Sequence, residues 1–370
     1  MNEDKSTRYH RLKRRSGVAS LAISTAVLVV LLTSGLSISI ADIARRASHT
    51  DPLSDSALAV VIYVLIVVAL HEVATFPVAL YQGFLLERRY GLSKEAPGGW
   101  LADHAKAAIL GLVFSIGAAE TIYFSMRLST TWWWLLSAGV FVAAIAGLTR
   151  LAPVLLLPLF YRFTPLSRES LRDRLVSLSH RAGVPVLGVY EWALGEKSRR
   201  ANAALVGTGT TRRILLSDTL LAEYSEDEIE VILAHEIGHH VHHDIRNAFL
   251  AESALLVAAL YAGAAALAVS WRWLGLAGVA DVAGLPLLAL AGGILTMVAT
   301  PIVNAVSRRN ERRADRFAIT LTKQPAAFIS AMKRLGTQNL AEEHPSTLVL
   351  WLFHSHPPIE QRIETARSFL

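Results

Sequence analysis

Six long apolar runs dominate the pattern of hydrophobic and polar positions along this chain of 370 residues. A helix needs about 20 predominantly apolar residues to cross the hydrocarbon core of a bilayer, and each run is about that long or longer. The runs lie at about residues 18 to 40, 57 to 80, 106 to 126, 132 to 160, 248 to 270 and 283 to 305. The pattern predicts a mainly α-helical, polytopic membrane protein with about six transmembrane helices.

Polar segments separate and follow these runs, and one of them predicts mixed secondary structure. Between the fourth and fifth runs, helical periodicity and a glycine that follows it predict a helix over residues 167 to 181. Short apolar stretches bounded by turn residues predict strands at residues 186 to 192, 203 to 206 and 213 to 216. A small β-sheet is therefore expected beside the membrane helices.

The distribution of basic residues predicts the orientation in the membrane. Six Lys and Arg side chains precede the first run, whereas the connection after it holds only Arg45 and Arg46. Because cytoplasmic segments carry the excess of Lys and Arg, both termini and the polar segment 161 to 247 are expected in the cytoplasm. No small-residue cleavage site follows the first run, so we expect it to be a retained span and not a signal peptide.

Composition narrows the class of protein further. The mean hydropathy of +0.40 and the hydrophobic content of 53% exceed those of ordinary soluble proteins. The net charge of +6 arises from basic residues next to the spans, where they hold topology and meet anionic lipid, so no nucleic acid partner is expected. The absence of cysteine excludes disulfides, thiolate zinc ligands and a cysteine nucleophile.

The stretch from His235 to His239 reads His-Glu-Ile-Gly-His, a pattern typical of zinc protease helices. On a helix, two histidines four residues apart share one face, so their imidazoles can bind one metal ion. Glu236 is placed to take a proton from a water on that metal. Ser225 and Glu228 form a capping box that predicts where this helix begins. Both histidines are therefore expected inside a helix.

A catalytic zinc site uses three protein ligands, and without cysteine the third must be His, Asp or Glu. The strongest candidate is Glu311, which follows the sixth run and is brought back towards the histidines by the last two spans. Asp315 lies one helical turn later, where it can accept a hydrogen bond from a ligand imidazole. From spacing alone, a charged helix end held by neighbouring arginines explains this stretch at least as well.

Other polar residues near these motifs have simpler explanations. His242 falls near the face of the two histidines, but we interpret it as exposed or outside the ligand set. Asp244 is given no role beyond capping or local pairing. The sequence His356-Pro357-Pro358 is typical of a helix start with proline in its first turn.

Together these motifs resemble the type I CAAX prenyl endopeptidases, a family of membrane-embedded zinc metalloproteases. The stretches that carry the resemblance are His235 to His239, Ser307-Arg-x-x-Glu311-x-x-Ala-Asp315, Ser355-His356-Pro357-Pro358, Glu87-Arg-Arg-Tyr-Gly-Leu-Ser93, Asn202-Ala203 and residues 217 to 221. The likeness covers most of the chain from about residue 57 onward.

The resemblance implies a zincin-type catalytic domain that binds one Zn²⁺ per chain, with Glu311 as the third ligand beside the two histidines. It implies that Asn202 lies on an edge strand that pairs with the substrate backbone. It also implies that His356 and Arg362 lie near the scissile carbonyl and stabilise the developing negative charge. The expected substrate is a peptide or protein, with lipidated and membrane-anchored chains among the candidates.

This interpretation divides the chain into five segments. They are residues 1–17, a cytoplasmic basic N-terminus; 18–160, a four-span membrane region; 161–247, a catalytic insertion with the zinc helix; 248–305, a two-span membrane region; and 306–370, a C-terminal catalytic segment with the third ligand. The bilayer and the substrate are the expected partners, and no oligomeric state is predicted.

Departures from the family leave alternatives open. Six spans are expected here, whereas the eukaryotic CAAX enzymes have seven, and the short connections and Ala- and Arg-rich composition favour a bacterial member in the cell (inner) membrane. A membrane-protein quality-control protease similar to HtpX is the main alternative. A metal-binding membrane scaffold or transporter without turnover is a remote one, suggested by the intramembrane polar residues His71, Glu72 and Glu120.

Overall fold

The structure, a computed structural model, describes residues 4–49, 55–207 and 209–370. Among these residues, six helices are long and apolar enough to cross a membrane. Large hydrophobic side chains are exposed along these helices, as expected for surfaces that face lipid. The predicted mainly α-helical, polytopic fold with about six membrane helices is therefore confirmed.

The first part of the chain forms a helical membrane region. Its helices are α1 (Lys5–Thr33), α2 (Leu36–Ala47), α3 (Ala57–Leu80), α4 (Leu86–Arg89), α5 (Pro97–Leu128) and α6 (Trp133–Leu155). A π-helical turn, Tyr81–Leu85, joins α3 to α4. The first apolar run, predicted as a single element, is divided between α1 and α2 because Gly35 adopts a left-handed conformation with φ of 77°.

The polar segment that follows folds into a small mixed sheet with helices. Its elements are β1 (Phe163–Pro165), α7 (Glu169–Arg181), β2 (Gly188–Trp192), β3 (Ala203–Val206), β4 (Arg213–Ser217), α8 (Asp218–Glu223) and α9 (Glu226–Val241). The strand order is β1-β2-β4-β3; β2 and β4 run parallel, and the other pairs are antiparallel. The three predicted strands are confirmed, and β1 is an additional edge strand.

Two long helices and three short ones complete the chain. They are α10 (Asp244–Ser270), α11 (Leu285–Thr322), α12 (Pro325–Gln338), α13 (Thr347–Phe353) and α14 (Ile359–Arg367). Helix α11 continues well beyond the apolar run at 283 to 305 and packs against α9. Helices α1, α10 and α11 continue across the predicted segment boundaries at residues 17/18, 247/248 and 305/306. The membrane and polar regions are therefore joined by continuous helices.

The two larger hydrophobic clusters among the described residues hold these regions together. One lies among the sheet, α7, α9, α12, α14 and the end of α11, with fully buried residues such as Leu171, Ile214 and Phe328. The other lies among the membrane helices, around Tyr63 and Tyr123. Because α9 and α11 both contribute to the first core, the side chains on their facing surfaces are fixed relative to one another.

The polar residues inside the spans are paired with polar partners, as expected for such groups at membrane depth. The pairs are His71 Nε2 with Ser24 Oγ at 2.9 Å, Glu72 Oε1 with His104 Nε2 at 2.6 Å, and Glu120 Oε2 with Arg127 Nη2 at 3.6 Å.

Candidate active site

Helix α9 begins with the predicted capping box. Ser225 Oγ accepts a hydrogen bond from the backbone N–H of Glu228, and the Glu228 carboxylate accepts one from the backbone N–H of Ser225 at 2.8 Å. Both orphan amides at the helix start are thereby satisfied. The apolar face of α9 enters the core, and its last two turns carry His235 and His239 towards α11.

The close packing of α9 against α11 depends on a glycine. A Cβ atom built on Gly238 would lie only 3.1 Å from the Cα of Ala314 and 3.2 Å from the ring of Phe317. Any larger residue would therefore push the two helices apart. Glycine between the two histidines lets α11 approach closely enough for its acidic side chain to reach both imidazoles.

Three side chains from these helices converge on one point. The Nε2 atoms of His235 and His239 are 3.3 Å apart. Glu311 Oε2 lies 3.2 Å from the first nitrogen, and Glu311 Oε1 lies 3.4 Å from the second. His235 and Glu311 are buried, and His239 is partly exposed. Among the described residues, this is the one group of three or more His, Asp or Glu side chains whose ligand atoms could hold a metal ion.

The first histidine is fixed from behind by an acid and an arginine. His235 Nδ1 lies 2.8 Å from Asp315 Oδ1, and Arg362 donates to both oxygens of Asp315, at 2.9 and 2.6 Å. Burial lowers the pKa of His235, but the neighbouring carboxylates of Asp315 and Glu311 outweigh burial and raise it to about 9. Asp315 therefore lies where its carboxylate can accept a hydrogen bond from the His235 imidazole.

The second histidine has an equivalent pair of partners that the sequence did not reveal. His239 Nδ1 lies 2.9 Å from Asp244 Oδ2, and Asp244 is in turn bound by Arg313. The chain returns towards His239 because His243, between α9 and α10, adopts a left-handed conformation with φ of 58°. The only available signal was an acid five residues after the motif, and no helical periodicity links such positions.

Glu236 and His356 lie on the accessible side of the group. The Glu236 side chain is partly exposed, and in the described part of the chain it makes no hydrogen bond or ion pair. His356 Nδ1 lies 2.9 Å from Glu311 Oε2, and 63% of its side chain is exposed. By contrast, only 10% of the Arg362 side chain is exposed, and it lies 4.0 Å from Glu311.

Asn202 lies directly before the edge strand β3. It is bound to β4 through the main chain, since Ser217 N donates to Asn202 O and Ser217 Oγ accepts from Asn202 N, both at 2.9 Å. Its side chain is exposed. On the other edge of β3, His240 Nε2 lies 3.1 Å from Leu205 O, so the zinc-motif helix runs directly alongside this strand.

The donor set fits a metal ion. It offers two imidazole nitrogens whose other ring nitrogens face carboxylates, an arrangement that leaves the convergent nitrogens free to bind a cation. Glu311 Oε2 is buried and accepts no well-aligned hydrogen bond, despite its short distances to two imidazoles. A buried carboxylate oxygen without a hydrogen-bond donor is costly unless a cation compensates it.

The membrane helices, the small mixed sheet and the His-His-Glu group on two packed helices define the class of a membrane-embedded metalloprotease. Family models match adjoining parts of the chain. Peptidase family M48 matches residues 165–370, and the family described as CAAX prenyl protease N-terminal, five membrane helices, matches residues 2–162. The chain belongs to peptidase family M48.

Individual relatives agree with this assignment. The chain is 30% identical to the uncharacterized metalloprotease YhfN of Bacillus subtilis over 292 residues, which cover 77% of this chain and 68% of that protein. It is 33% identical to CAAX prenyl protease 1 of Saccharomyces cerevisiae over 176 residues, 46% of this chain and 38% of the yeast protein. The bacterial relative fits the expectation of a bacterial member.

The fold is also that of a solved structure. The crystal structure of S. mikatae Ste24p matches 98% of this chain and 87% of its own chain, with a TM-score of 0.83 and 24% sequence identity. The family models and the named relatives confirm the predicted resemblance to the CAAX prenyl endopeptidases, and this structure confirms the fold.

Proposed function

We propose that this metalloprotease is a zinc endopeptidase in which His235, His239 and Glu311 hold one Zn²⁺ per chain. The observation that carries the proposal is the convergence of the two Nε2 atoms and the Glu311 carboxylate. Zinc bound there would polarise the scissile carbonyl and make a water molecule acidic near neutral pH.

Glu236 is the proposed general base and acid. It follows the first ligand on the same helix, so its carboxylate lies at the edge of the group and not among the ligands. Because no described side chain pairs with it, its oxygens are available to accept a proton from the attacking water. The same carboxyl group then returns the proton to the leaving amine.

His356 and Arg362 are proposed to stabilise the negative charge that develops on the carbonyl oxygen. The exposure of His356 and its position next to Glu311 support a direct hydrogen bond to substrate. Arg362 has its Nε and one Nη on Asp315, so most of its hydrogen-bonding capacity holds the residue behind His235. Its main contribution is therefore a fixed positive charge and the orientation of that imidazole.

The edge strand β3 is the proposed binding surface for the substrate backbone. The backbone N–H and C=O groups of Asn202 and Ala204 point towards β4. Those of Ala203 and Leu205 therefore point to the open edge of the sheet. The His240 imidazole contacts Leu205 O. The N–H and C=O of Ala203 and the N–H of Leu205 are therefore the backbone groups that an added strand would bind. The exposure of Asn202 supports the proposal that its side-chain amide binds the same backbone.

The proposed substrates are membrane-anchored proteins, including lipidated ones. Two observations support this: the site adjoins the membrane helices through α11, and relatives are named CAAX prenyl proteases. The match of residues 2–162 to a CAAX prenyl protease N-terminal region does not favour an HtpX-like quality-control enzyme. A metal-binding scaffold is not favoured either, since the chain belongs to a peptidase family.

The test uses purified enzyme with a farnesylated CAAX-type peptide and its unprenylated twin. We expect zinc-dependent cleavage of both, with faster cleavage of the lipidated peptide, and none by Glu236→Gln. Equal rates would contradict the preference for lipidated chains while leaving the endopeptidase activity intact. No cleavage of either peptide by zinc-loaded enzyme would contradict the activity itself.

A further inference from the structure

A cavity of about 560 Å³ lies between the end of α6 and the outer face of the sheet. Tyr190 and Leu215 line it from β2 and β4, and Pro158 lines it from the turn after α6. The opposite face of the sheet packs into the hydrophobic core through Ile214 and Leu216. The cavity is therefore separate from the His-His-Glu group and from the core.

The cavity is strongly and exclusively positive. Arg150, Arg162 and Arg213 line it, and among the residues that the structure describes no acidic one does. Within the described ranges, none of the three forms an ion pair or a side-chain hydrogen bond. Arg213 stacks over the ring of Tyr190 at 5.4 Å, and its buried Nε has no hydrogen-bond partner. Three uncompensated guanidinium groups around one cavity are complementary to an anion, because guanidinium binds phosphate oxygens in a forked geometry.

The cavity also lies at the end of the fourth apolar run. Helix α6 ends at Leu155 and the run ends at about residue 160, so Arg150 lies in the last two turns of α6 and Arg162 lies two residues after the run. Leu151, Leu155 and Leu159 are exposed around this end of the helix. An apolar helix end next to a basic cavity places a hydrocarbon surface and a phosphate-binding surface side by side.

Aromatic side chains cluster beside the cavity, at the end of the fourth apolar run. Tyr161 lines the cavity and packs edge-on against Trp192 with ring centroids 5.2 Å apart, and Phe163 lies 6.4 Å from the same indole. Tyr and Trp are enriched at the level of lipid headgroups, where one end of the ring is apolar and the other is hydrated. The place of Tyr161 next to the cavity is in keeping with a lipid headgroup bound there.

We propose that this cavity binds an anionic phospholipid, with the headgroup phosphate among Arg150, Arg162 and Arg213 and an acyl chain along the exposed leucines of α6. The lipid would fix the sheet against the membrane surface. The proposal does not depend on the peptidase mechanism, since it concerns neither the metal group nor Glu236.

The experiment compares lipid binding in nanodiscs of phosphatidylcholine alone and of phosphatidylcholine with about a third phosphatidylglycerol. After extraction, native mass spectrometry should show about one retained phosphatidylglycerol per chain, and the temperature of unfolding should rise only in the anionic discs. The triple variant Arg150→Gln, Arg162→Gln, Arg213→Gln should lose both effects. Retention of lipid by this variant at the level of the unmodified chain would overturn the proposal.

The matched control removes the same charge from a different basic surface. Arg309, Arg312 and Arg316 lie exposed on α11, around a shallow groove lined by arginines. Their replacement by Gln should leave the retained lipid unchanged. Equal loss of lipid in this variant would mean diffuse attraction to charge and would contradict a defined site.

Two further measurements separate loss of the site from a folding defect, and a lipid from a small anion. Arg150 and Arg162 are both exposed, so the double variant Arg150→Gln, Arg162→Gln should fold, and it should still lose lipid if the triple variant fails to fold. Inorganic phosphate and glycerol 1-phosphate are the soluble probes. If either raises the unfolding temperature as much as phosphatidylglycerol does, the cavity is a site for small anions and the lipid assignment is wrong.

Discussion

Each histidine of the candidate metal group is held by a carboxylate that is itself held by an arginine. Behind His235 stand Asp315 and Arg362, and behind His239 stands Asp244 with Arg313. Such partners fix the ring orientation and determine which nitrogen faces the metal. The repetition of the arrangement on both ligands indicates that ring orientation matters at this site.

Asp244→Asn tests the partner that sequence did not reveal. The amide cannot stabilise the His239 ring as a carboxylate does, so we expect zinc affinity to fall about 10- to 100-fold. Cleavage should recover when zinc is added in excess. Zinc affinity is measured by competition with a chelator, and Asp173→Asn, an exposed acid on α7, is the control. Unchanged affinity in Asp244→Asn would contradict this role.

Residues of the metal group that are close together in sequence could be predicted from spacing, and those far apart could not. His235, Glu236 and His239 are on one helix, so spacing alone specifies their shared face. Glu311 belongs to another helix, and only the family resemblance favoured it over an ordinary charged helix end. Asp244 was missed because its approach requires a left-handed backbone at His243, which a non-glycine residue seldom adopts.

At the scale of elements, the contact between α9 and α11 determines the geometry of the metal group. Gly238→Ala should separate the helices by a few tenths of an ångström and destabilise the fold by about 1–3 kcal/mol. We expect a lower midpoint of thermal unfolding and weaker zinc binding in the same variant. Gly292→Ala is the matched control, since a Cβ there meets no atom within 4 Å. Equal effects of the two substitutions on unfolding and zinc binding would contradict a specific role of the contact at Gly238.

The start of α9 should depend on pH. Burial raises the pKa of Glu228, but hydrogen bonds from Ser330 and Ser225 and the charge of Arg334 outweigh it and lower the pKa below 4.5. A lowered pKa in the fold means that the carboxylate stabilises the protein above pH 4.5 and loses this effect as the pH falls through the lowered value.

Glu228→Gln should therefore lower the unfolding midpoint near neutral pH, by the equivalent of about 1–3 kcal/mol. The difference from the unmodified chain should shrink as the pH falls from 4.5 through the lowered pKa, because Glu228 is neutral, like Gln, only below that value. Glu226→Gln, which changes a partly exposed acid on the same helical turn, controls for loss of charge. A difference that persists unchanged in acid would contradict the account.

Elements with a strong periodic or apolar pattern were predicted well, and short ones were not. The capping box specified the start of α9, and three strands were found where turn residues bounded apolar stretches. Strand β1 was missed because Phe163–Pro165 continues directly from the fourth apolar run and contains proline. The break at Gly35 was missed because apolar residues continue on both sides of it.

At the scale of the whole molecule, α1 ties the N-terminus to the polar region. Arg14 forms an ion pair with Glu342 at 2.5 Å, and His10 lies 2.7 Å from Leu340 O. Tyr9 donates to Glu87 at 2.6 Å, and Arg200 lies on the same acid. The N-terminal end of α1 and the metal group therefore lie on the same side of the membrane helices, as the prediction of a common cytoplasmic side requires.

Cysteine labelling tests the predicted orientation directly, because the chain has no cysteine of its own. Ala277→Cys lies in the connection between α10 and α11, and Ser368→Cys lies after α14; both positions are exposed. In intact bacterial spheroplasts, an impermeant maleimide should label the first and not the second. Lysis should make the second reactive. Labelling of the Ser368→Cys variant before lysis would contradict the predicted orientation.

The proposed peptide hydrolysis requires zinc and Glu236 together. Zinc content and turnover, measured on the same preparations of the unmodified chain and Glu236→Gln, test both requirements at once, with His235→Ala as the metal-deficient control. We expect about one zinc per chain in the first two and a fall in turnover of about 10²- to 10⁴-fold in Glu236→Gln. Normal turnover by Glu236→Gln, or active enzyme without zinc, would contradict this requirement.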